Sequence, residues 1–63
     1  MGKLAQLRED RGFTFREVAL ATGLTEQTIR NIESDPQRAI ARNIDRLADF
    51  YGVTTDQLLG REQ

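Results

Sequence analysis

The strongest constraint in this chain is the stretch from Phe13 to Glu33, FTFREVALATGLTEQTIRNIE, which holds two helix starts eleven residues apart. Thr14 is followed three residues later by Glu17, the spacing of a capping box: the hydroxyl takes the backbone N–H of Glu17 and the carboxylate reaches back to the cap. Phe13 before that cap and Val18 after it form a hydrophobic staple. Thr25 opens a second helix in the same way, with Leu24 and Ile29 as its staple. Only Thr22-Gly23-Leu24 lies between the two helices. Gly23 can take the positive φ that ends a helix abruptly.

Two short helices joined by so tight a turn must cross steeply, which is helix-turn-helix geometry, placed here at about residues 14–33. The second helix has two chemically different faces. Ile29 and Ile32, with Leu24 ahead of them, point inward, while Glu26, Gln27, Thr28, Arg30 and Asn31 are left mostly outside. A polar face of this kind is ordinarily just solvated. Here two carboxamides, Gln27 and Asn31, stand four residues apart beside the Arg30 guanidinium. Gln and Asn pair bidentately with adenine edges and Arg with guanine edges in the major groove. That combination behind a tight turn favours base readout over decoration.

Composition removes other classes of function. Sixty-three residues make one small domain, able to bury roughly 60% of its unfolded surface. The chain has no cysteine and no histidine. It therefore lacks a disulfide framework, a thiolate metal site, and the usual general base and zinc ligand. There is no glycine-rich phosphate loop and no convergent carboxylate pair, so an enzyme is not expected, nor a cofactor, metal or small-molecule ligand. No apolar run approaches membrane-spanning length, and MGKLAQLRED does not read as a signal peptide. A cytoplasmic protein is the expectation.

The charge is unhelpful to a nucleic-acid binder: nine Lys and Arg against ten Asp and Glu give −1, with a pI near 5.2. Its distribution is uneven. Residues 30–46 carry four arginines against Glu33, Asp35 and Asp45, while beyond them Arg61 faces Asp49, Asp56 and Glu62. The acidic excess thus collects at the C-terminal end, away from the proposed reading helix.

The segment resembles the helix-turn-helix of Cro/repressor-type (Xre-like) DNA-binding domains, and the similarity extends over nearly the whole chain. It is carried by LRED-RGFT, Val18-Ala19, Gly23, Ile29 and Ile32, Glu33, Leu47-Ala48 and the closing GVTTDQLL. The resemblance implies an all-α, compact, lambda-repressor-like five-helix bundle whose third helix enters the major groove. In such domains a glutamine that touches phosphate often stands where this chain has Phe15. A phenyl ring cannot donate that hydrogen bond, and Arg16 is the candidate to take over the contact. The amides at the start of the second helix remain available to a phosphate.

Helix 1, about Lys3 to Arg11, places Leu4 and Leu7 inward, and Arg8, one turn from Leu4, faces partly the same way. Glu33 has the same problem one turn beyond Ile29. Two opposite charges on apolar faces are best explained as a largely buried Arg8–Glu33 ion pair, and the resemblance implies the same pairing. Ala19 is small enough to let helix 3 approach closely.

After Glu33, Asp35-Pro36 reads as a cap with proline at the first helical position. Helix 4 then begins either at Pro36 or only near Ala39. Its core face is Ile40, Ile44, Leu47, Ala48 and Tyr51. Its other face repeats arginine at positions 38, 42 and 46; Arg38 and Arg42 are candidate phosphate clamps, and Arg46, flanked by aspartates, reads as a solvated charge. At the end, Thr54 and Gln57 form a second capping box, Val53 and Leu58 a staple, and Gly60 a stop. Leu58 and Leu59 cannot share one buried face, so one of them, with Phe50 or Tyr51, is expected in an exposed apolar patch.

The sequence therefore predicts one domain, residues 1–63, that binds duplex DNA sequence-specifically as a transcriptional regulator, more often a repressor in families of this kind. Gln27, Thr28, Arg30 and Asn31 would meet base edges, and Arg16, Arg38 and Arg42 the phosphates. One domain covers one half-site, so a homodimer on a palindromic operator is expected. The alternative is a protein-interaction module that kept the fold and lost tight DNA binding, as in a regulator-binding head or an antitoxin-like pair.

Overall fold

Residues 3–60 are described by a computed structural model, in which the helix starts at Phe15, Glu26 and Thr55 fall where capping chemistry places them. Five α-helices occur among the described residues: α1 Lys3–Asp10, α2 Phe15–Thr22, α3 Glu26–Ser34, α4 Ala41–Tyr51 and α5 Thr55–Leu59. A single 3₁₀ turn, Pro36–Arg38, separates α3 from α4, and the described residues contain no strand. The expected all-α architecture of five helices is the one observed.

Both capping boxes form. Thr14 Oγ1 accepts the Glu17 amide at 3.1 Å while Glu17 Oε1 accepts the Thr14 amide at 2.8 Å. Thr54 and Gln57 repeat the exchange at 3.1 and 2.8 Å. Thr25 caps α3 by accepting the Thr28 amide at 3.0 Å. Gly23 closes α2 in the left-handed region, φ +78°, with its amide donating to the Ala19 carbonyl at 2.9 Å. Only a residue without a Cβ adopts that conformation freely, so the elbow between α2 and α3 depends on it.

Of the two expected starts of the fourth helix, the structure has the later: α4 opens at Ala41, two residues beyond Ala39, and not at Pro36. Proline disfavours helical geometry in the residue before it, and Asp35, at φ −150° and ψ 80°, ends α3 there without a side-chain cap bond. Pro36–Arg38 makes one turn; Ala39 and Ile40 then run extended, and α4 starts at Ala41. Ile40 consequently sits outside the helix and is 59% exposed, not a core residue as its spacing suggested. The rest of the expected stripe, Ile44, Leu47, Ala48 and Tyr51, is buried.

The core joins that stripe to Leu4, Val18, Ala19, Ile29, Ile32 and Leu58. α2 packs on α3 and α4, and α5 closes against α1 and α4. Complete burial of Ile29, worth about 2 kcal/mol, fixes which face α3 turns outward. Of the candidates for an apolar patch, Leu58 and Tyr51 are interior and Leu59 is half-buried. Phe50 is half-buried between the rings of Phe13 and Tyr51, at centroid distances of 5.2 and 5.0 Å. The large apolar side chains left exposed are Leu20, at 74%, and Ile40.

Arg46 is exposed, as its reading as a solvated charge expected, and makes one further contact. Its Nη1 donates to the Thr22 carbonyl at 3.4 Å, a cation at the C-terminal end of α2. No described helix is long and apolar enough to cross a membrane.

Candidate nucleic-acid interface

α3 carries the side chains that can read a ligand because both ends of the helix are fixed. Its start is locked by Thr25, whose Oγ1 also donates to Thr28 Oγ1 at 2.9 Å. Its end is locked by an ion pair beneath it. Arg8 Nε donates to Glu33 Oε2 at 2.7 Å, and Arg8 Nη2 to Glu33 Oε1 at 3.3 Å. The side chains are only 13% and 8% exposed, so this is the largely buried pair the sequence required. Arg8 Nη1 also donates to the Phe13 carbonyl at 3.0 Å, tying the loop before α2 to the same group. The hydrogen bond with Glu33 holds the Arg8 guanidinium pKa above its ordinary value, against the opposing pull of burial.

Outside that frame, Gln27, Arg30 and Asn31 are exposed and Thr28 is half-buried. Gln27 Nε2 donates to Asn31 Oδ1 at 3.0 Å, joining the two carboxamides into one polar surface. Arg30 lies with its Cζ 4.9 Å from the centroid of the Phe15 ring, within cation–π range. Glu26 approaches Arg30 at 3.9 Å, too long for a hydrogen bond, so the guanidinium donors are not consumed there. Asn31 and Arg38 line one shallow cleft with Ser34 and Asp35. These are hydrogen-bond donors and acceptors set on the exposed face of one helix.

The sequence matches the helix-turn-helix domain family over residues 2–59. The chain belongs to that family. It is also similar, at 30% identity over all of its 63 residues, to the HTH-type transcriptional regulator AnsR of Bacillus subtilis (strain 168). It spans about half, 54%, of that relative's length. No solved structure matches it.

Within this helix-turn-helix domain the remaining sequence-derived cations are distributed rather than clustered. Arg38 is 86% exposed on the 3₁₀ turn, with Asp35 Oδ2 3.9 Å from its Nε. Arg16 and Arg42 are exposed in the first turns of α2 and α4 and make no hydrogen bond or ion pair among the described residues. In α2 the capping box occupies the Thr14 and Glu17 amides, which leaves those of Phe15 and Arg16 as the free pair. The carboxylate of Glu17 also sits at that helix end, opposing an anion.

Two features of the helix-turn-helix surface were not found by sequence reasoning. The start of α4 has neither a side-chain cap nor an acid in its first turn, so no carboxylate of that turn competes for the amides of Ala41 and Arg42. The signal was the absence of a Ser, Thr, Asp or Asn at position 40, hidden while the helix start was placed elsewhere. The second is the Phe15 ring, which holds Arg8 at 4.1 Å as well as Arg30. Loss of a phosphate donor drew attention to Phe15, but nothing in the sequence spacing pointed to its contacts with Arg8 and Arg30.

Proposed function

We propose that this domain binds duplex DNA sequence-specifically and acts as a cytoplasmic transcriptional regulator, most simply a repressor. The observation that carries the reading is α3. Ile29 and Ile32 anchor it, while Gln27, Arg30 and Asn31 stand exposed with their hydrogen-bonding groups directed away from the core. Laid in the major groove, Gln27 and Asn31 meet an adenine edge and Arg30 a guanine edge, with the Thr28 hydroxyl as a further donor. Arg16, Arg38 and Arg42, together with the amides opening α2 and α4, fix register on the phosphates without reading sequence. Membership of the helix-turn-helix family and the likeness to a transcriptional regulator support the same conclusion.

The longest dimension of the described domain is 31 Å, less than the ~34 Å of one turn of duplex, so one copy spans a single half-site. Two copies related by a two-fold axis on a palindromic operator are therefore the proposed working form. Selection of bound sequences from a random duplex pool tests both points. Inverted half-sites spaced by one helical turn support a dimer, and an unselected pool contradicts sequence-specific reading.

A second reading, a protein-interaction module with weak DNA binding, is favoured by the exposure of Leu20 and Ile40 and by a net charge of −1. Affinity for mixed duplex at falling salt separates the two. Binding that weakens steeply as salt rises supports the first, and none at low salt supports the second.

A further inference from the structure

The contact that the family comparison and the sequence leave unassigned is a pair of arginines held over one ring. Arg8 Cζ lies 4.1 Å and Arg30 Cζ 4.9 Å from the Phe15 centroid. Arg8 cannot drift, because Glu33 takes it at 2.7 and 3.3 Å and the Phe13 carbonyl at 3.0 Å. Phe15, half-buried at the start of α2, is thus fixed from below. Arg30 is fixed only from its own side of the ring, since Glu26 stands off at 3.9 Å and no other partner of Arg30 occurs among the described residues.

We infer that Phe15 is a specificity-determining positioning residue: its ring holds the Arg30 guanidinium in the orientation that reads a guanine edge. This rests on the reading of α3 as a major-groove helix. A guanidinium whose central carbon rests 4.9 Å from a ring centroid has fewer orientations open to it. Its N–H donors, not taken by a hydrogen bond among the described residues, are available for a bidentate contact with guanine O6 and N7. An arginine on a bare helix surface would instead swing between base edges and phosphates. The side chain that cannot bind phosphate itself therefore sharpens the readout of its neighbour. The chain of contacts runs from the core pair Arg8–Glu33 through Phe15 to Arg30, so base discrimination is tied to the same ion pair that holds α1 against α3.

The test uses a duplex obtained by selection, with each guanine of the half-site replaced in turn, and measures Kd ratios for the native protein, R30A, F15L, F15Y and the F15L/R30A double variant. R30A identifies the base pair concerned by abolishing preference there. F15L fills the same half-buried space without a ring and is expected to reduce preference at that one pair by about two- to fivefold, the range of an exposed cation–π contact. Its salt dependence should match the native slope, F15Y should restore the preference, and F15L should add nothing to R30A. A thermal melt of F15L accompanies the series. If F15L retains full guanine preference, or lowers affinity equally for every duplex, the inference is overturned while the reading of α3 stands. If R30A changes no base preference, Arg30 is not a reader and the inference falls with that assignment. Absence of duplex binding by the native protein overturns the proposed function itself.

Discussion

Gln27 donates its Nε2 to Asn31 Oδ1 at 3.0 Å, so the two carboxamides on the exposed face of α3 form one hydrogen-bonded unit. Each restrains the other, and the bond leaves the Asn31 amide nitrogen as a donor and the Gln27 oxygen as an acceptor. Side chains ordered before binding lose less entropy when they meet a base edge.

That coupling makes their contributions non-additive. Q27A and N31A should each weaken binding to the selected duplex by about 1–3 kcal/mol, and the double variant should lose less than the sum by about 0.5–2 kcal/mol. Titration of the four proteins against one labelled duplex measures it; strictly additive losses would mean the pair does not act together.

The Arg8–Glu33 pair is architectural and should behave as a buried ion pair does. R8M leaves Glu33 charged at 8% exposure and strands the Phe13 carbonyl, and is expected to reduce stability by about 3 kcal/mol. Replacing both residues with apolar groups removes the stranded charge and should recover most of that loss. Urea unfolding of the single and double variants decides it, and an R8M loss under about 1 kcal/mol contradicts the burial argument.

Tyr51 gives the fold an alkaline limit. Its hydroxyl is buried with no hydrogen-bond partner among the described residues. Burial, with Glu33 nearby, pushes its pKa up to about 12 from 10.0, against the pull of Arg8 and Arg11. Between those values the unfolded chain has released the phenolic proton and the native chain has not. Stability is therefore complete below pH 10 and falls as pH rises toward 12, with a slope of up to about 1.4 kcal/mol per unit. Y51F should remove that slope and be near neutral at pH 7, because the hydroxyl it deletes makes no bond. An alkaline melting profile unchanged by Y51F would contradict the assignment.

Gly23 fixes the crossing of α2 and α3 through its φ of +78° alone. A Cβ built there meets only Arg46 Nη1 at 3.5 Å, an ordinary contact. G23A should therefore lower stability by about 1–2 kcal/mol from backbone strain, and the same loss should persist in an R46A background. A larger loss that R46A relieves would point to steric crowding instead.

Much of this is legible in the sequence because capping is local chemistry. Thr14–Glu17, Thr25, Gly23 and Thr54–Gln57 announce helix ends from neighbouring residues, and two charged residues on apolar faces, Arg8 and Glu33, announced each other. What stayed hidden was decided by geometry between elements. Ile40 kept helical spacing with Ile44, yet two extended residues after the Pro36 turn moved it outside the helix. Arg46 is exposed as its sequence reading had it, but its contact stayed hidden because the acceptor, the Thr22 carbonyl, is a backbone atom twenty-four residues away. The placement of Arg8 and Arg30 over Phe15 likewise joins three helices and has no signature within any one of them.

The division of labour between α3 and the cations is tested most directly by binding N31A and R42A to a panel of duplexes that carry every single-base change in the selected half-site. N31A should relax preference at one position, by about 1–3 kcal/mol, with the salt slope kept. R42A should weaken all duplexes alike and reduce the salt slope by about one unit. If both variants lose the same affinity on every member of the panel, α3 is not reading sequence and the account is wrong.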